Sequence, residues 1–79
     1  MLIASMIVKV VAPEAQAVQK RLESIPKVKT YGIHREDNII VVTEARSVEE
    51  LEQLSKHITH EIPGVLGVFP TYVTEDEEE

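Results

Sequence analysis

His57 and His60, three residues apart, have the side-chain type and spacing that could begin a metal site. On a helix that spacing can bring two imidazoles to one side. A metal would need at least a third donor close by, and Glu61, the next residue, points elsewhere. Histidines late in a helix also favour the negative end of its dipole, which makes the pair structural. His34 stands alone, with no serine or cysteine constellation around it. Glu36-Asp37 suits a turn better than acid–base work. Gly32, Gly64 and Gly67 do not form a phosphate loop. There is no cysteine, hence no thiolate nucleophile, no disulfide framework and no iron–sulfur site. No catalytic residue, metal or cofactor is expected, and binding is the remaining class of function.

The elements that must carry these residues follow from hydrophobic period. Residues 3–11 (IASMIVKVV) are rich in β-branched side chains and read as a strand. Pro13 fits the first turn of a helix, where its missing N–H costs nothing. Ala15, Val18, Leu22 and Ile25 then recur at helical spacing until Pro26 stops the run. Val28 to Ile33 reads as a second strand, and the polar run His34-Arg35-Glu36-Asp37-Asn38 turns it into a third, Ile39 to Glu44, as a hairpin. Ser47-Val48-Glu49-Glu50 matches a capping box, in which hydroxyl and carboxylate each satisfy a free backbone N–H. The helix it opens carries Val48, Leu51, Leu54, Ile58 and Ile62 on one side. Pro63-Gly64 ends it, and Val65 to Val73 is the last strand.

The order is β-α-β-β-α-β, in two halves that repeat weakly. Each half leaves its helix through Ile-Pro-x-Val: Ile25-Pro26-Lys27-Val28 and Ile62-Pro63-Gly64-Val65. This is the α+β, ferredoxin-like sandwich, with a four-stranded antiparallel sheet in the order 4-1-3-2 and two helices on one face. One domain is expected over residues 1–73, followed by an acidic, disordered tail over 74–79.

Charge narrows the partners. The net charge is −6, but five of the fourteen acidic residues are Glu75, Asp76, Glu77, Glu78 and Glu79. The remaining chain holds nine acids against eight bases and has no basic stripe of the kind a phosphate backbone needs. Nucleic acid is not an expected partner. Met1 to Val11 is apolar but lacks a basic n-region and a small-residue cleavage site. It also falls short of the ~20 residues of a membrane helix, so no membrane insertion and a cytoplasmic location are expected.

The period of two along a strand separates the side chains that meet the helices from those that do not. Met6, Val8 and Val10 are expected inside, with Ile39, Val41 and Thr43. Ser5, Ile7 and Lys9 then face away from the helices, as do Ile40, Val42 and Glu44. With Ile7 opposite Val42, Ser5 falls against Glu44 and Lys9 against Ile40. Lys29, Tyr31 and Ile33 are the outward set of the second strand, and Gly67, Phe69 and Thr71 that of the fourth. A face carrying Ile7, Ile40, Val42, Ile33, Tyr31 and Phe69 is too apolar to stay wet, and a contiguous apolar patch marks a binding surface. A homodimer across that face is the bland alternative to a foreign ligand.

Three stretches together resemble the NapD family: Ser5-Met6-Ile7-Val8, Ile40-Val41-Val42-Thr43-Glu44-Ala45, and Pro63-Gly64-Val65-Leu66-Gly67-Val68 followed by Tyr72. The likeness runs from about residue 4 to residue 73 and includes the length, the element order and the acidic end. Pro70 within the last strand departs from the pattern and belongs at a sheet edge. The resemblance implies a cytoplasmic chaperone that binds the twin-arginine signal peptide of NapA, the catalytic subunit of periplasmic nitrate reductase. It would hold that peptide back from export while the client receives its own cofactors. On that reading Ile7, Ile40, Val42 and Phe69 take the apolar side of the peptide and Glu44 accepts an arginine. Ser5, Lys9, Tyr31, Ile33 and Thr71 complete the binding face. A small-ligand regulatory or dimerisation module of the same fold is the competing reading.

Overall fold

The computed structural model describes residues 1–75. Strand β1 (Leu2–Val10) leads through a 3-10 turn (Ala12–Glu14) into helix α1 (Ala15–Glu23). The hairpin of β2 (Val28–His34) and β3 (Asn38–Ala45) follows, then α2 (Val48–Glu61) and β4 (Val65–Glu75). The sheet order is β2-β3-β1-β4, and every neighbouring pair is antiparallel. The last strand runs to Glu75, two residues past the expected boundary, because Thr74 and Glu75 pair with Ile3 and Leu2. The rest of the expected tail, residues 76–79, lies outside the described residues.

Both helices pack on one face. Ala15, Val18 and Leu22 of α1 and Ile58 of α2, with Ile62 just after it, share one buried cluster with Met6, Val8, Val10, Ile39 and Val41 of the sheet. Each large side chain buried there contributes about 1.5–3 kcal/mol, which is what orders so short a chain. Ser47 caps α2 as its spacing predicts: the Glu50 N–H donates to Ser47 Oγ at 3.2 Å. The Glu50 carboxylate accepts from the Arg46 N–H, one residue before the cap, at 2.6 Å.

The repeated Ile-Pro-x-Val segments form matching turns. The Val28 N–H donates to Ile25 O at 3.2 Å, and the Val65 N–H donates to Ile62 O at 3.4 Å. Proline sets the second position of each turn, and the third has positive φ, +71° at Lys27 and +95° at Gly64. The Gly64 carbonyl accepts from the Val11 N–H at 2.8 Å, which ties the second turn to the end of β1.

Three bulges redirect the edge strands. On β2, Tyr31 and Gly32 together oppose Ile40, with φ +108° at Gly32. On β4, Leu66 is the extra residue between the pairs Val10–Val65 and Lys9–Gly67, and Thr71 is extra between Met6–Pro70 and Ser5–Tyr72. Each extra residue reverses which side chains face the helices beyond it. Pro70 does lie on an edge strand, where a missing N–H is tolerated.

Candidate binding face

Away from the helices, Ile7 stands at the centre of the sheet, opposite Ile40 on β3 and Phe69 on β4. The next row holds Lys29, Val42, Ser5 and Tyr72. Beyond it lie Glu44, Ile3 and Thr74. In the other direction Lys9 lies between Asn38 and Gly67. Ile7, Ile40 and Val42 are half-buried, while Phe69 and Tyr72 are 54% and 65% exposed. No element of the described chain covers this face, so the rings of Tyr31, Phe69 and Tyr72 and four aliphatic side chains, Ile3 included, meet solvent together.

The register differs from expectation by two residues. Ile7 pairs with Ile40 in place of Val42, Ser5 with Val42 in place of Glu44, and Lys9 with Asn38 in place of Ile40. A slip of two keeps every side chain on its own face, so the inward and outward sets of β1 and β3 stand as expected. It does separate Glu44 from Ser5 and sets Glu44 opposite Ile3.

Two expected face residues are corrected by the bulges. Ile33 pairs with the buried Ile39 and packs against the core on the helix side, since the extra residue at Tyr31-Gly32 turns it over. Thr71 is itself the extra residue of β4, and its hydroxyl donates to the Ser5 carbonyl at 3.1 Å. Tyr72 takes the place on the face that alternation assigns to Thr71. Tyr31 is 59% exposed and stays on the open side, lining a cleft of about 320 Å³ with Ile3, Lys29, Val42 and Glu44. Ile3 was within reach of the sequence, being two residues from Ser5 on one strand. Tyr72 had no such signal.

Charge on the face is uneven. Lys9 Nζ donates to Asp37 Oδ2 at 3.2 Å, so the ammonium at one end already has a counter-charge. At the other end Glu44 is exposed and has no ion pair among the described residues. Lys27 and Lys29 line the same cleft as Glu44, so two basic residues share this corner with one acidic residue. His34, His57 and His60 are exposed, and the described residues contain no group of three side chains able to hold a metal ion. No helix of the described residues is long and apolar enough to cross a membrane.

A family model described as NapD protein matches residues 1–77. The chain belongs to the NapD family. Solved structures share its fold. The solution structure of the Escherichia coli Tat proofreading chaperone protein NapD superposes with a TM-score of 0.77 at 23% identity, covering 98% of this chain and 81% of that one. A hypothetical protein of Pyrococcus horikoshii gives 0.79 at 22% identity, with 98% and 93% covered. A Thermus thermophilus protein gives 0.81 at 16% identity, with 100% and 99% covered. No curated protein sequence matches the chain at a significant level. At these identities the superpositions establish the ferredoxin-like fold of this NapD-family chain, and the family rests on the model match.

Proposed function

We propose that this chain is a cytoplasmic chaperone that binds the twin-arginine signal peptide of the NapA nitrate reductase subunit on its open sheet face and delays export until the client has matured. The observation that carries this reading is the apolar row Ile40–Ile7–Phe69, uncovered among the described residues, with the Glu44 carboxylate, unpaired among them, farther along the same face. A peptide with an arginine-rich start and an apolar continuation matches that layout. Its apolar side can lie over Ile7 and Phe69 as an amphipathic helix, and a guanidinium can reach Glu44 through charge-assisted hydrogen bonds. The Escherichia coli structure that shares the fold, that of a Tat proofreading chaperone, supports the same reading. Ser5, Lys9, Tyr31, Ile40 and Val42 belong to the proposed contact surface, joined by Ile3 and Tyr72. Ile33 lies outside it.

The test is calorimetric titration with a synthetic twin-arginine signal peptide and with a copy carrying lysine at both arginines. Binding of the native peptide with a weaker lysine copy is expected, since guanidinium and ammonium differ in how they pair with a carboxylate. No heat from the native peptide would sink the proposal. A second copy of the chain is the competing occupant of the face. Sedimentation as a dimer that peptide fails to dissociate would favour it.

A further inference from the structure

Gly67 lies on the open face opposite Lys9, two residues before Phe69 on the same strand. A side chain added at Gly67 would place its Cβ 3.0 Å from Cζ and 3.1 Å from Cε2 of Phe69. The far edge of the ring therefore occupies the space where residue 67 would otherwise carry its own side chain. The ring leans back along β4 toward Gly67, and Ile7, the residue opposite Phe69 on β1, is half-buried. Gly67 does not have positive φ, so a left-handed backbone does not explain a glycine there. In a strand interior glycine is otherwise a poor choice, because it loses more chain entropy than other residues and packs nothing.

We propose that Gly67 is a positioning residue for the binding face: its missing side chain is the seat in which the Phe69 ring rests. This rests on the reading of the face as a peptide site. Seated on Gly67, the ring extends the apolar row of Ile40 and Ile7 along β4 and leaves Ile7 open to a ligand. Displaced, the ring would turn across Ile7 or out past the sheet edge, and either position breaks up the strip that an amphipathic helix needs. The ring is also held before the ligand arrives, so little side-chain freedom is lost on binding.

Gly67→Val separates this role from a merely structural one. Valine suits a half-buried strand position, so the variant should unfold at the same or a higher urea concentration than the parent. In the free parent protein, nuclear Overhauser contacts should join the Phe69 ring to the Gly67 Hα protons. In Gly67→Val those contacts should vanish and the Ile7 methyl shifts should move. Affinity for the synthetic twin-arginine signal peptide should fall roughly tenfold, the scale of one lost aromatic contact. Phe69→Leu should lose a similar amount, and the double variant no more than Phe69→Leu alone, as expected for residues acting through one ring. Ring contacts to residue 67 that persist in Gly67→Val, or losses that simply add, would overturn the proposal. If the parent itself does not bind the peptide, the chaperone reading fails. The ring contacts and Ile7 shifts still decide separately whether Gly67 seats Phe69.

Discussion

Lys27 and Gly64 occupy the same position of the same turn, one in each half of the chain. Both follow Ile-Pro, both precede a valine that opens a strand, and both have positive φ, +71° and +95°. Only the glycine adopts that conformation without strain, because an L side chain there crowds the neighbouring carbonyl. Lys27→Gly should therefore stabilise the fold by about 1 kcal/mol, read from the midpoint of urea unfolding. Gly64→Ala should do the opposite and by more, since its Cβ would lie 2.8 Å from Glu14 Cβ and 3.2 Å from a Val18 methyl carbon. A loss of about 2 kcal/mol or more is expected from strain and overpacking together.

The hairpin turn holds a second reservoir of strain. Arg35 and Glu36 both have positive φ, 55° and 72°. The turn is tied down from outside, because the Val10 N–H donates to the Asp37 carbonyl at 2.9 Å and Lys9 reaches the Asp37 carboxylate. Replacing Arg35 by Asn and Glu36 by Gly should raise stability by about 1 kcal/mol while leaving peptide affinity unchanged. Parallel urea and calorimetric titrations check both halves of that statement.

Ile33 and Tyr72 should respond in opposite ways. Ile33 packs on the core side, so Ile33→Ala should cost about 1–2 kcal/mol of stability and leave peptide affinity of the folded protein unchanged. Tyr72 is exposed on the open face, so Tyr72→Ala should leave the urea midpoint nearly unmoved and weaken peptide binding several-fold, by about 1 kcal/mol. The reverse pattern would mean that the bulges do not hold in solution.

Glu44 and Lys29 share one corner of the face with opposite charge. Glu44→Gln should weaken binding of the twin-arginine peptide roughly fivefold, in the range expected for an exposed pair. Lys29→Ala should strengthen it about twofold, by removing a like charge from the path of the arginines. Both effects should shrink in 1 M salt, where the screening length falls to about 3 Å. Titrations at low and high salt separate this electrostatic part from the apolar contribution of Ile7 and Phe69.

Much of this protein is legible without coordinates. Alternation along β1 and β3 determined the two faces of the central strands, because burial against helices demands a period of two and nothing else in those segments competes. Ser47 and Glu50 marked the start of α2, and Ile-Pro-x-Val marked both helix exits, because caps and turns are local chemistry. An apolar face that the described residues leave without a cover followed from residue types and their alternation. The tertiary structure decided the rest. A slip of two residues leaves alternation intact, so only the assembled sheet could set Ile7 opposite Ile40 and take Glu44 away from Ser5. The bulges at Tyr31-Gly32 and Thr71 exchange one face for the other midway along an edge strand, which sent Ile33 inward and brought Tyr72 out. Whether an edge strand takes an extra residue depends on how it must bend to meet its partner, and that is a property of the packed sheet, which a strand's own residues do not encode.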